Sequence, residues 1–293
     1  MDDTPSDQAA GVYHRRVGDL VVTALLDGLF QASFGLLTGI AEADAAALQR
    51  RDFRADPPRL TVNAFLIRGG SAGPVLVDTG AAGAMGPTLG RLQRGLAAAG
   101  VEPASIRTVL LTHLHGDHCS GLLDADGAQA FPAAELVLHQ AELDFWTEAN
   151  AARAPDGAKP AFAQAQATIA PYRAAGRVRG VTGGEAVPGV SIIHLPGHTP
   201  GHSGWTVGSG GDALLIWGDV VHMPGVQFAE PGAGVIFDTD GEQAAATRRR
   251  TLDMAAADRL LIAGMHLEFP AFGHVARDGQ SYRWVPETWD GGL

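Results

Sequence analysis

Apolar runs in this chain are short, and they alternate with stretches of helical spacing. Residues 17–30 are rich in apolar and β-branched side chains and are cut by Gly18-Asp19 and Asp27-Gly28, which predicts two strands. Residues 40–53 carry Ala, Leu and Glu at helical spacing. Strands follow at 60–67 and 74–77, joined by the glycine-rich turn 69–73, and a helix over 87–99 is ended by Gly100. Strands at 108–111 and 135–138 come next, then helices at 140–149 and 161–174 around a loop at 152–157. The last part predicts strands at 190–195, 204–207 and 213–217, a helix at 242–257 and a final central strand at 259–262. Val75-Leu76-Val77-Asp78 is echoed by Leu214-Leu215-Ile216-Trp217-Gly218-Asp219, and no linker divides the chain. This fits an α/β class fold, a four-layer αββα sandwich of two mixed sheets with outer helices. Residues 1–12 are expected to be a flexible lead-in and 13–293 a single domain.

Composition narrows the partners. A hydrophobic content of 46% with 18% charged residues describes a globular chain with ample core. Its net charge of -11 disfavours nucleic acid, whose binding draws on Lys and Arg neutralising phosphates. The one basic cluster, Arg248-Arg249-Arg250, falls in a predicted helix and reads as a solvated face. A single cysteine, Cys119, excludes an internal disulfide and reads as a small buried residue. The N-terminus is acidic and polar, without the basic and apolar regions of a signal peptide. No apolar run reaches the roughly 20 residues of a membrane span, so a cytoplasmic location is expected.

The chemistry concentrates where the strand at 108–111 ends. Thr112-His113-Leu114-His115-Gly116-Asp117-His118 puts three imidazoles and a carboxylate within six positions. Neutral imidazole nitrogen and carboxylate oxygen are the donors that zinc and related divalent ions take. Four such groups exceed what one catalytic metal with an open position needs, which suggests two adjacent metals and a hydrolase. Further donors stand where later apolar runs end: His198, Asp219 and His266. Asp219 suits a bridge, since one carboxylate oxygen can go to each metal.

The His113, His115, Asp117, His118 spacing matches the H-x-H-x-D-H signature of the metallo-β-lactamase superfamily, and the chain resembles that family over roughly residues 15–288. The resemblance implies two divalent ions, zinc foremost, with cobalt, manganese or iron acceptable. It assigns His113, His115 and His198 to one ion, Asp117, His118 and His266 to the other, and Asp219 to both. Asp78 matches a position that supports the ligand loop, and His274 is a further candidate for such support. Within the family, Gly197-His198-Thr199-Pro200-Gly201-His202, Trp217-Gly218-Asp219-Val220-Val221-His222, Val226-Gln227-Phe228 and His266-Leu267-Glu268-Phe269-Pro270 are similar to the methyl parathion hydrolase-like branch, as is Asp144-Phe145-Trp146. Homoserine lactonases tend to carry Tyr three residues after the bridging Asp, where this chain has His222.

That likeness implies hydrolysis of neutral esters, lactones or phosphotriesters by a metal-bridging hydroxide. Asp117 would orient it or take its proton, and His222 would donate to the oxyanion or leaving group. Trp146, Phe162, Phe228 and Phe269 are the candidates for an apolar substrate pocket. The alternatives are an N-acyl homoserine lactonase with a quorum-quenching role and an iron-bound redox or binding protein on the same scaffold. A homodimer is suggested by the family alone. His14, His139 and His194 have no motif around them and read as structural.

Overall fold

The computed structural model describes residues 8–208 and 212–292. The expected lead-in falls largely on residues 1–7, outside the described residues, but the first strand already begins at Val12. In chain order the first strands are β1 (Val12–Val17), β2 (Leu20–Gln31), β3 (Leu37–Thr38), β4 (Arg59–Arg68), β5 (Val75–Val77), β6 (Thr108–Leu110), β7 (Glu135–His139) and β8 (Val178–Val181). The rest are β9 (Glu185–Val187), β10 (Val190–His194), β11 (Ser203–Val207), β12 (Leu214–Ile216), β13 (Gly234–Val235), β14 (Leu261–Ala263), β15 (Phe272–Asp278) and β16 (Ser281–Pro286). The helices are α1 (Glu42–Arg51), α2 (Leu92–Ala98), α3 (Gly116–Cys119), α4 (Gln140–Phe145), α5 (Glu148–Arg153), α6 (Lys159–Ala174), α7 (Pro224–Gln227) and α8 (Gly241–Ala257).

Two seven-stranded mixed sheets carry the fold, in the orders β1-β2-β4-β5-β6-β7-β8 and β16-β15-β14-β12-β11-β10-β9. Strand alternation explains how one chain fills the layers. Phe65 and Ile67 of β4 and Val75 and Val77 of β5 enter the core between the sheets, with Trp205, Leu214, Ile216, Ile262 and Phe272 from the second sheet. Their neighbours Ala64, Leu66 and Leu76 face outward, under Leu92 and Leu96 of α2 and Ile169 and Tyr172 of α6. Strands covered on both faces read as continuous apolar runs, as β4 does. Each such side chain contributes on the order of 1.5–3 kcal/mol when fully buried.

Several elements differ from the sequence reading for identifiable reasons. Asp27-Gly28 is a register shift within one long β2, not a strand end. The helix expected from 87 starts at Leu92, because the Asp27 carboxylate accepts the amides of Ala81, Gly90 and Leu92 and fixes 81–91 as a loop. The single helix expected over 140–149 is two, with Thr147 capping the second through the Asn150 amide. Strands β15 and β16 follow the strand expected to be last. Arg248 is no solvated residue: it is buried, with its guanidinium donating to the carbonyls of Val220 at 2.7 Å, Pro231 at 3.1 Å and Ala233 at 2.8 Å. Burial brings its pKa down to about 10.

Parallel pairing of β5 with β6 and of β12 with β14 points their C-terminal ends to one rim. Strand β10, antiparallel to β11 as β11 is to β12, ends at that rim too.

Candidate metal centre

Local structure delivers the donors. Asp78 follows β5 in a left-handed conformation (φ 57°), which Asp tolerates better than most residues. That turn sends its carboxylate back under the next loop. It accepts the Thr112 amide at 2.8 Å and the Thr112 hydroxyl at 2.7 Å, and it meets His118 Nδ1 at 2.8 Å. The loop after β6 is thereby held from below while its imidazoles face inward. Across the rim, Asn63 of β4 donates its side-chain amide to the carbonyls of Met265 at 2.9 Å and Leu267 at 2.8 Å, on either side of His266. His202 fixes Asp219: its Nε2 accepts the Asp219 amide at 2.8 Å while Nδ1 donates to the Leu195 carbonyl at 2.7 Å.

The donor atoms then converge. His113 Nε2 lies 3.0 Å from His115 Nδ1, which lies 2.9 Å from His198 Nε2. Around Asp219, Oδ2 is 3.3 Å from His198 Nε2, 3.1 Å from His222 Nε2 and 3.3 Å from His266 Nε2, and Oδ1 is 3.2 Å from His118 Nε2. Asp117 reaches His118 Nε2 at 3.6 Å and His266 Nε2 at 3.5 Å. His113-His115-His198, Asp117-His118-His266, His113-His118-Asp219 and His198-Asp219-His222 each bring their donor atoms within 4.8 Å of one another.

Hydrogen bonds at the far side of the rings decide what these atoms offer. His118 Nδ1 faces Asp78, His198 Nδ1 faces the Asp238 carboxylate at 2.8 Å and His266 Nδ1 faces the Thr61 carbonyl at 2.7 Å. Each partner accepts only, so a proton sits on Nδ1, and Nε2 is the atom that points into the cluster and can offer a lone pair to a cation. His118 Nε2 and Asp219 Oδ1 are buried there without a hydrogen-bond partner. Lone pairs crowded together and beside carboxylates repel one another unless a cation lies between them. The residues therefore fit two divalent cations, with Asp219 between the two sets.

The electrostatics divide the imidazoles into two groups. Burial pulls His113 and His115 well below their ordinary pKa, aided by neighbouring imidazoles, and so favours the neutral, ligand-competent form. Burial also opposes charge on His118 and His198, but the Asp219 carboxylate, with Asp117 at the first and Asp238 at the second, outweighs it; His198 is held up to about 9. Burial likewise opposes charge on Asp219, yet the surrounding imidazoles keep its carboxyl well below the usual range.

A cavity of about 880 Å³ opens onto this centre at His115 and Asp238. Phe145, Trp146 and Phe162 line it from the α4–α6 excursion, and Ile236 and Phe237 line it from the loop after β13.

Residues 57–266 match the model of the metallo-beta-lactamase superfamily. The chain belongs to the metallo-β-lactamase superfamily. Among solved structures it is similar to the hydrolase AbOPH of the β-lactamase superfamily, at 33% identity and a TM-score of 0.91, covering 97% of this chain and 100% of that one. It is also similar to AidC, a dizinc quorum-quenching lactonase in complex with a product, at 24% identity and a TM-score of 0.90 over 97% and 100% of the two chains. A probable metal-dependent hydrolase from Staphylococcus aureus aligns at 19% identity and a TM-score of 0.75, over 93% and 99%. No curated protein matches the sequence.

In this metallo-β-lactamase-fold hydrolase the structure brings together His113, His115, Asp117, His118, His198, Asp219 and His266, with Asp78 beneath them. His222 joins the cluster: its Nε2 faces Asp219, not the cavity, and burial lowers its pKa to about 4. His274 stands apart, with Nδ1 donating to the Leu260 carbonyl below β14. Trp146 and Phe162 line the cavity, whereas Phe228 stacks on Trp284 at 5.8 Å and Phe269 packs on the core between the sheets. Phe145, Ile236, Phe237, Asp238 and Glu142 were missed. Asp238 sits 40 residues from His198 in the chain, so no local spacing announces the pair. Among the described residues no helix is long and apolar enough to cross a membrane.

Proposed function

We propose that this hydrolase acts on neutral esters and lactones, and on phosphotriesters of the methyl parathion type, using two divalent ions with zinc first among them. The observation that carries the reading is the aromatic-walled cavity ending on the donor cluster: apolar walls suit an uncharged substrate, and the cluster lies at the cavity's end. Two ions held by these residues would supply Lewis acidity and lower the pKa of a bound water to about 7.

The chain's own residues do the rest. Trp146 and Phe162, at a ring separation of 4.7 Å, present a fixed apolar face that orients the substrate and excludes water. Asp117 is more accessible than Asp219 and can take a proton at a carboxylate oxygen. His222 donates from Nε2 to Asp219 and helps to keep that carboxylate ionised. Asp78 and Asp238 hold the protons of His118 and His198 on Nδ1, so their Nε2 lone pairs stay available.

A second reading, N-acyl homoserine lactonase, is favoured by the overall likeness to AidC and by a cavity roomy enough for an acyl chain. The zinc-loaded enzyme should be assayed side by side on dihydrocoumarin, a long-chain acyl homoserine lactone and methyl parathion. A lead of about tenfold in kcat/KM for the aryl lactone or the triester, about 1.4 kcal/mol of transition-state preference, upholds the first reading. A lead for the homoserine lactone selects the second. No turnover of any of the three with two zinc equivalents bound overturns both.

A further inference from the structure

Glu142 is a fully buried carboxylate at the third position of α4. An acid there ordinarily reaches back to cap its own helix. This one reaches across to three other places. Its Oε1 accepts the Leu114 amide at 2.9 Å and the Trp146 indole N–H at 2.5 Å. Its Oε2 accepts the Thr199 hydroxyl at 2.6 Å and the Gly201 amide at 3.1 Å. Leu114 stands between His113 and His115, on the loop from the first sheet, and Thr199 follows His198, on the loop from the second. Trp146 is the cavity wall, and its ring meets the His115 imidazole edge-on at 5.5 Å. The approach is tight enough to require glycine at position 201, where an added Cβ would lie 2.5 Å from the Cα of Glu142.

We propose that Glu142 is a positioning residue that locks the His113-His115-His198 cluster and the Trp146 wall into one unit. The inference rests on the dinuclear reading above, and it makes an asymmetric claim. All four bonds lead to the three-imidazole set or to the wall, whereas His118 and His266, two donors of the other set, are held by Asp78, Asn63 and Thr61. Losing Glu142 therefore loosens one ion's donors and leaves the other's in place. It also uncouples the indole from His115.

The test is a zinc titration of chelator-treated protein, following bound equivalents and tryptophan emission, with W146F as the reference that isolates the Trp146 signal. Wild type is expected to bind two equivalents and to change its Trp146 emission as the cluster fills. Glu142→Gln places an amide N–H among four donors. It is expected to bind one equivalent normally, to bind the other about 10–100-fold more weakly, the scale for residues that orient ligands, and to lose the emission change. Thr199→Val, which removes one donor at constant shape, should shift the same equivalent in the same direction by less, and it decides the matter if the Gln variant does not fold. Variants that bind both equivalents as wild type does and keep the emission response overturn the proposal, as does equal weakening of both equivalents. The titration is read with zinc alone, so it stands whether or not any ester is turned over. A wild-type chain that binds fewer than two equivalents overturns the proposed function instead.

Discussion

His115 is where two differently built regions meet. On one side the far nitrogens of His118, His198 and His266 are each tied to an acceptor, and the loops that carry them are tied again through Asp78, Asn63 and His202. On the other side Ile236 and Phe237 stand 56% and 51% exposed over the cavity. The centre thus gets its geometry from hydrogen bonds to sheet ends, which tolerate no rotation of an imidazole. The outer wall gets its character mainly from apolar area, which tolerates many shapes. On the proposed function, reaction chemistry belongs to the first region and substrate choice to the second.

The largest expected effect breaks the centre. Asp219→Ala removes the carboxylate that faces five imidazoles and should lower kcat/KM by about 10³-fold, the scale of losing a principal electrostatic element. Elemental analysis should show less than two bound metals. Asp238→Ala leaves every donor in place but frees His198 to rotate and to change tautomer. A loss of about 10–100-fold in zinc affinity is expected, read by competition with a chelator.

A pH series on metal-stripped protein sharpens the contrast further. His198 is raised to about 9 in the folded state, so the stability it contributes is complete below its unfolded value of 6.5 and is lost as pH rises through about 9. His202 and His222 are lowered to about 3 and about 4, so their contribution is complete above 6.5 and is lost as pH falls towards those values. The Tm of the stripped chain should therefore peak near pH 6.5, whereas wall variants such as Phe237→Ala should leave the shape of that profile unchanged. A monotonic profile would contradict this account of the centre.

The smallest effect on the fold comes from the wall. Phe237→Ala should change stability by no more than about 0.5 kcal/mol, as surface substitutions do. Its effect should show as a fall of up to about tenfold in kcat/KM on bulky apolar esters relative to small ones, the worth of modest hydrophobic contact. Phe228→Ala is the mirror image. It empties a site packed between Trp217 and Trp284 and should cost about 3–5 kcal/mol in denaturant unfolding while leaving the ratio between ester substrates unchanged.

The same contrast explains what could be read from the chain. His113, His115, Asp117 and His118 lie within six positions because one turn must present them, so their spacing is visible without a structure. His198, Asp219 and His266 are visible because each stands where an apolar run ends, and Asp78 through the resemblance to the family. Asp238 and Glu142 act on residues 40 and 57 positions away along the chain, and nothing in their immediate surroundings marks them. Phe228 and Phe237 are both aromatic residues in the same stretch, and only the fold separates the one under Trp284 from the one over the cavity. Arg248 misled for the opposite reason. Its neighbours Arg249 and Arg250 made a surface face the natural reading, and the carbonyls that capture it come from two distant loops.

The helical excursion between β7 and β8 leaves and rejoins the first sheet on adjacent parallel strands whose register is fixed. Residues 147–158 run between α4 and α6, beyond the last residue hydrogen-bonded to Glu142 and ahead of the α6 face that packs on the first sheet. Such a segment is an exchangeable cassette. If the proposed function holds, a lineage, or a protein engineer, that lengthens it, shortens it or repopulates its inner face should retrain the enzyme on a new substrate while the donor cluster passes through unaltered.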